Sequence, residues 1–318
     1  MKIALAGDTM LGRGVARALE ERGPTSLFAP EVAATAAEGD LFVLNLECCI
    51  SERGTPWPDP RKPFFFRAPP LGAEALAQLG VDCVTLANNH ALDYGREALL
   101  DTFEHLRSVG IRWVGAGVDE AAARAPAVLE AAGVRLAVVA FSDHPAEYAA
   151  RLDRPGIAFA ELAGGRLPDW LVASPRELGA DAALVTPHWG PNMTARPTAH
   201  VRAAAAALIE AGATLVAGHS AHVFHGVEGA VLYDLGDFVD DYAVHETLRN
   251  DLGLLFLVTL DERGPRRLEA VPLRLDFCHT RLATGEDAAW IARRFERACA
   301  ELGAEAREEG GRLVVDWR

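Results

Sequence analysis

Cysteine is scarce in this chain and badly spaced for chemistry. The 318 residues hold five: Cys48, Cys49, Cys83, Cys278 and Cys299. The count is odd and no C-x-x-C occurs, which argues against a disulfide framework and a thiolate zinc site and fits a reducing compartment. Positive charge is also short. Lys and Arg number 31 against 45 Asp and Glu, a net charge of -14. A nucleic-acid binder needs a basic face to neutralise phosphates, so that class is excluded. An anionic substrate would need local Lys or Arg. No apolar run approaches the ~20 residues that span a bilayer. The chain opens directly on a strand at Lys2–Ala6, with no charged segment and apolar stretch before it. No signal peptide is visible, and a cytoplasmic location is expected.

What is present is the makings of a large core. Half the residues are hydrophobic (50%) and 24% are charged, as in a globular protein. Short apolar runs alternate with Ala- and Leu-rich helical segments. Strands are predicted at 2–6, 41–44, 83–86, 111–114, 134–141, 181–185, 213–217 and 231–233, with helices at about 11–22, 71–79, 95–109 and 198–211 between them. The stretch 51–70 is rich in Pro and aromatics and reads as a long surface loop. Residues 145–170 read as irregular. Two further strands, 253–260 and 267–277, look paired through a turn at Asp261-Glu262-Arg263-Gly264. A last helix, about 286–302, and an edge strand at 312–316 complete the chain. The pattern predicts an α/β fold with helices covering a largely buried, mixed sheet. No repeat or linker divides it, so 1–318 reads as one domain, with the motif-bearing core at about 2–240 and strands and helix 250–318 completing the fold.

Polar residues fall repeatedly just past the C-terminal ends of the apolar strands. They are Asp8, Glu47, Asn89 with His90, His188, and His219 with His222. Ligand sites of open α/β sheets lie at these ends. One such residue is easily a helix cap. Five strand ends carrying metal-competent side chains point to a site. The donors are oxygen and imidazole without sulfur, which suits Mn, Fe, Zn or Mg. They are too many for one tetrahedral ion. Two ions roughly 3.5–4 Å apart, bridged by a carboxylate, would use them, activating a water and clamping a tetrahedral phosphoryl or acyl transition state.

The ordered set Gly7-Asp8, Asn45-Leu46-Glu47, Asn88-Asn89-His90, His188 and Gly218-His219-x-x-His222 resembles the CapA-like poly-gamma-glutamate capsule-synthesis family, a branch of the calcineurin-like metallophosphoesterases. Phe66-Arg67-Ala68-Pro69-Pro70, the run Leu86 to Gly95, and Tyr233 to Val239 match as well. The resemblance implies a four-layer αββα sandwich, two mixed sheets packed face to face with helices outside. It implies Asp8 and His222 as ligands of one divalent metal, Asn89, His188 and His219 as ligands of the other, and Glu47 in place of a bridging aspartate. It implies His90 as the residue that protonates a leaving group or steadies the transition state, with Asp93 orienting it. Two departures stand out. The superfamily's D-x-H reads Asp8-Thr9-Met10, so a thioether replaces an imidazole and the first metal is expected to bind weakly. The family's Leu-Gly-Asn-Phe reads Leu235-Gly236-Asp237-Phe238, which adds a carboxylate of unassigned role.

Three readings of function follow. The leading one is a metal-dependent hydrolase acting through a metal-activated water on a phosphoester or amide, with a small-molecule, peptide or polyglutamate-type substrate. The second is a metal-independent peptide epimerase in which Asp8 and one of His90, His219 or His222 form an acid–base pair. The third is a non-catalytic accessory protein of polymer synthesis or export. Arg67 and Lys62 are candidate binders of a carboxylate or phosphate. Trp189 is expected either to wall the pocket or to pack in the core. His225 is expected at the rim or the surface, and His144 is a weaker candidate for the pocket wall. Gly12 and Gly14 lack the rest of a dinucleotide fingerprint and suggest no nucleotide site.

Overall fold

The computed structural model describes residues 1–162, 166–261 and 264–317. Its central element is the strand Lys2–Thr9, in the middle of a ten-stranded mixed sheet. On one side Leu41–Leu46, Cys83–Thr85 and Arg112–Val114 follow in parallel. On the other side Leu252–Asp261, Gly264–Asp276 and Arg312–Asp316 follow, each antiparallel to its neighbour. The expected C-terminal hairpin is present. Glu262 and Arg263 of its turn lie outside the described residues.

A second, six-stranded sheet runs parallel through Val134–Ser142, Ala182–His188, Leu215–Ala217 and Val231–Leu232. Ala127–Ala131 and Val227–Glu228 add antiparallel edges. Alternation along each strand explains the stacking. Ile3, Leu5, Val43 and Phe256 of the first sheet meet Leu136, Val138, Ala140 and Leu184 of the second in one core. The intervening residues point outward. Ala4, Ala6, Phe42 and Leu44 pack on Val15, Leu19, Leu76, Leu99 and Phe103 of the first four helices. Val139, Phe141 and Val185 pack on Val201, Ala205 and Leu208 of the helix Ala199–Glu210. Both faces of each sheet are therefore buried, which is why the strands read as continuous apolar runs. The architecture is the four-layer sandwich the sequence suggested.

Several details differ from the sequence reading, among them the unread elements Glu120–Arg124, Ala127–Ala131 and His279–Leu282. A short helix at Pro30–Ala36 was not legible, being too brief for a periodic signal. The stretch 51–70 is mostly loop, but Arg67–Ala68 pairs with Cys49–Ile50 in a two-stranded ladder. The last helix, Gly285–Glu301, does not lie outside the layers. It sends Ile291, Phe295 and Cys299 into the core between the sheets. Within 145–170, a 3-10 turn at Ala146–Tyr148 and a pairing of Gly156–Ile157 with Ala116–Gly117 interrupt the irregular chain, and 163–165 lie outside the described residues. All five cysteines are free and buried. Among the described residues, no helix is long and apolar enough to cross a membrane.

Candidate metal centre

The strand ends of both sheets converge. Asp8 closes the central strand and lies beside Asn45 on one neighbour and Asp237 on the other. Asn45 donates to Asp8 Oδ1 at 2.8 Å, and Asn88 donates to Asn45 Oδ1 at 2.9 Å and to the Leu46 carbonyl at 2.8 Å. This amide ladder fixes the exits of three strands relative to each other. Glu47 follows at once and is fully buried.

From the second sheet, His188 ends its strand and bridges to His219. The loop Gly218–His222 then turns sharply. Ser220 and His222 hold positive φ, 109° and 58°, a region costly for residues with a side chain. Asp234 offsets that cost by accepting the Ala221 N–H at 2.7 Å and the Gly236 N–H at 2.9 Å. The result is the placement of His222. The Nδ1 of His222 lies 2.8 Å from Asp237 Oδ1, 3.3 Å from Asp8 Oδ2 and 3.9 Å from Glu47 Oε2. His219 Nδ1 is 3.1 Å from Asp8 Oδ1 without hydrogen-bond alignment, and His188 Nε2 is 4.0 Å from Glu47 Oε1.

Three carboxylates and an imidazole in such a space repel or share protons. Burial, then the charge of Asp8, pushes Glu47 well above the usual carboxylate range. Burial, then Asp240 and Asp8, does the same to Asp237. Burial works against ionised Asp8, yet the neighbouring His219 and His222 hold it below the usual range. Burial disfavours charged His222, but Glu47 and Asp8 raise it; burial, opposed by Asp8 and reinforced by His144, His219 and His222, drives His188 down.

The centre fits a cation. Asp8, Glu47, His222 and Asp237 offer ligand atoms all within 4.8 Å of one another. Among the described residues, both Glu47 oxygens, both His188 nitrogens, Asn89 Oδ1, His219 Nδ1 and Asp237 Oδ2 are buried without a hydrogen-bond partner. A buried polar atom left unpaired costs about 1–3 kcal/mol. Unpaired oxygens of Glu47 and Asp237 within the group of Asp8, Glu47, His222 and Asp237 are what a cation would satisfy. The donors remain oxygen and nitrogen, consistent with Mn, Fe, Zn or Mg.

Beside the centre opens a cavity of about 400 Å³, lined by Lys62, Phe64, Asn89, His90, His144 and Tyr148 among others. His90 stands between the two regions. Its Nδ1 is 2.6 Å from Asp93 Oδ2, and Phe66 stacks on its ring at 4.0 Å. Burial, opposed by Asp93, pulls its pKa down to about 4. At neutral pH His90 is thus an uncharged imidazole that donates Nδ1–H to Asp93 and leaves Nε2 as an acceptor. Asp93 also accepts from the Phe66 N–H at 2.6 Å and the Tyr148 hydroxyl at 3.2 Å, and Lys62 Nζ lies 2.9 Å from it.

The other sequence candidates divide. Lys62 lines the cavity, although its ammonium is already held by Asp93 and by the Asn89 carbonyl at 2.7 Å. Arg67 does not line it. Its guanidinium lies 4.2 Å from the Tyr94 ring centre and donates to the Arg53 carbonyl. Trp189 is a core residue, 2% exposed, with its indole N–H on the Tyr233 carbonyl. His225 is buried rather than at the rim, and pairs with the Thr194 carbonyl at 2.7 Å. His144 does line the cavity, with Nδ1 against Asp143. Met10 is fully buried, and its sulfur accepts the Gly12 N–H at 3.0 Å. Asp234, Tyr148 and Tyr242, whose ring lies edge-on at 5.5 Å from that of His222, escaped sequence reasoning. Asp234 lies within the matched run Tyr233 to Val239 and Tyr242 just beyond it, a proximity that could have flagged them. Tyr148 carried no signal.

The fold and this geometry can be set beside known proteins. A solved structure of a Thermus thermophilus protein described as hypothetical superposes with TM-score 0.51 at 17% identity, covering 87% of this chain and all of that one; the likeness is one of fold. A Mycobacterium tuberculosis protein named "Probable polyglutamine synthesis accessory protein" is 33% identical over 293 residues, 83% of this chain and 73% of the relative. The Bacillus anthracis "Capsule biosynthesis protein CapA" is 27% identical over 287 residues, 86% of this chain and 67% of the relative. The model of the bacterial capsule synthesis protein family PGA_cap matches residues 2–242, a span that holds every residue of the centre, and the chain belongs to that family.

Proposed function

We propose that the chain is a metal-dependent hydrolase of polymer or capsule metabolism, cleaving a phosphoester or an amide of a polyglutamate-type substrate. One observation carries the reading: buried donors from both sheets converge with their ligand atoms unpaired. Asp8 and His222 would hold one ion, Asn89, His188 and His219 the other, and Glu47 would bridge them. Bound there, the ions would supply Lewis acidity, lowering the pKa of water and neutralising charge on the transition state. The protein's own part is positioning. His90 presents Nε2 to the cavity as a hydrogen-bond acceptor, able to orient or take a proton from the attacking water. Asp93, Lys62 and Tyr148 keep its ring in place. Arg61 and Lys62 are local cations on the cavity wall, which an acidic polymer needs because the net charge of -14 supplies no long-range attraction.

A second reading has its own support. Met10 supplies no ligand, and Asp8 with a histidine such as His90 would be the acid and base that metal-free epimerisation at a peptide alpha carbon needs; Asp8 Oδ2 and His222 Nδ1, 3.3 Å apart, are too close to flank that carbon themselves. The word "accessory" in a relative's name favours a third, non-catalytic role in polymer synthesis. Elemental analysis of the purified protein, with and without His219→Ala, separates them. Hydrolysis requires bound ions, and activity on model phosphodiesters or gamma-glutamyl amides, both lost in the variant. Epimerisation requires deuterium uptake at a substrate alpha carbon in heavy water without chelator sensitivity. A metal-free protein with neither signal would leave only the accessory role.

A further inference from the structure

The centre has a deficit and a surplus, and they meet at one point. Met10 stands where the resemblance calls for a histidine ligand, but its side chain is fully buried in the helix-side core and its sulfur is occupied by the Gly12 N–H. The surplus is Asp237. Its strand runs parallel to the central one, with Asp8 opposite Asp237, and Asp8 N–H donates to the Gly236 carbonyl at 2.8 Å. Gly7 permits this closeness: a Cβ there would fall 1.8 Å from the Gly236 oxygen. Asp237 reaches the ligand atoms of Asp8, Glu47 and His222 within 4.8 Å. Its Oδ1 meets His222, while its Oδ2 is buried with no hydrogen-bond donor among the described residues, and burial, then the Asp240 carboxyl next to it, pushes Asp237 above the usual carboxylate range. Both oxygens of the adjoining, fully buried Glu47 are likewise unpaired.

We propose that Asp237 takes the coordination place that Met10 leaves unfilled, so that the first position becomes a three-carboxylate, one-imidazole site for a hard divalent ion. This rests on reading the centre as a metal site. The consequence is an asymmetric pair. Asp8, Glu47, Asp237 and His222 favour an oxygen-preferring ion such as Mn²⁺ or Mg²⁺. Asn89, His188 and His219, richer in nitrogen, favour a borderline ion such as Zn²⁺. The first site is therefore not a weak relic, as Met10 alone implies, but a site of altered preference.

Asp237→Asn tests this, because an asparagine oxygen still accepts from His222 while the charged, unpaired oxygen is gone. Stripped wild type, Asp237→Asn and His219→Ala are titrated with Mn²⁺ and with Zn²⁺ by calorimetry, with Mn²⁺ EPR and elemental stoichiometry as second readouts. Near-ultraviolet circular dichroism checks that each is folded. The expected result is two ions in wild type. Asp237→Asn weakens Mn²⁺ binding at least about tenfold and leaves one Zn²⁺ in place. His219→Ala does the reverse. If Asp237→Asn binds Mn²⁺ as wild type does, Asp237 only orients His222 and the inference is overturned. If wild type takes up no ion, the metal reading itself fails, and this inference with it.

Discussion

The buried centre and the cavity beside it are built from different material. Asp8, Glu47, His188 and His219 are each at most 1% exposed and sit on strand ends locked by backbone pairing. The cavity wall comes from the loop around Asp59–Phe64 and the turn near His144–Tyr148, where Phe64 is 54% exposed. A residue on a central strand of a two-sheet core cannot move without repacking both faces. A loop residue can change at little cost to the fold. The centre is thus suited to fixed chemistry and the cavity to selecting what reaches it. They touch through His90, Asn89 and the carboxylate of Asp93, which binds a loop lysine, a turn tyrosine and the histidine together.

If this division is right, the largest losses come from the centre. Asp8→Asn should abolish measurable turnover and lower affinity for the first ion by well over 100-fold, because substitution of residues that merely support metal ligands already costs about 10–100-fold. Ion stoichiometry and turnover on the same sample check it. Glu47→Gln should act in two directions. In the metal-free protein it removes a buried carboxyl whose ionisation burial and Asp8 disfavour, so at neutral pH the stripped variant should be more stable than stripped wild type. With ions added, the order should invert. Denaturant melts with and without metal give both numbers, and a stripped variant less stable than wild type would show that Glu47 serves the fold instead.

At the boundary, His90→Ala should lower kcat by about 10²–10⁴-fold if His90 handles a proton. Asp93→Asn should lower it by about 10–100-fold through misorientation of that ring. Neither should change ion stoichiometry. Because burial holds His90 near pKa 4, the acidic limb of the kcat profile should fall in that region rather than near 6.5. A limb that persists unchanged in His90→Ala would assign it to another group.

This division also explains what could be read from the sequence. The strands were legible because burial on both faces gives unbroken runs such as Leu136–Phe141, and the ligand candidates because they punctuate those runs. Asp237 was visible as a departure but not as a neighbour of Asp8, since the parallel pairing that joins them spans more than 220 residues. Arg67 misled because a cation beside aromatics looks the same whether it faces a cavity or stacks on Tyr94. Tyr148 was invisible for a related reason: its contact with Asp93 is made by an irregular turn, where no period announces which side chain points inward. The last helix was found in sequence without its depth, because an apolar stripe of Ile291, Phe295 and Cys299 does not say which core it enters.

A buried histidine outside both regions sharpens the contrast. His225 is paired with the Thr194 carbonyl, and burial lowers its pKa to about 4. The unfolded chain, with an ordinary value of 6.5, therefore takes up a proton first as the pH falls. Its contribution is complete above about pH 6.5 and is lost progressively down to about 4, at most about 3 kcal/mol. His225→Gln should flatten stability over that window by up to this amount and leave ion binding unchanged. A coupled loss of ion binding would extend the centre to a residue assigned here to the fold.

The smallest effect is expected at the outermost cation of the wall. Arg61 has 84% of its side chain exposed and pairs only with Asp59, two residues away, among its described contacts. An exposed pair of this kind contributes little to stability. Arg61→Ala should therefore leave kcat and melting temperature within error. It should raise KM for an acidic oligomer by less than about tenfold, with the increase vanishing at high salt, where exposed charges are screened. The same variant assayed on a neutral model ester should be indistinguishable from wild type. An equal KM change on acidic and neutral substrates would mean that the cavity wall shapes the centre rather than selecting for charge, and the separation of the two regions would fail at its outer edge.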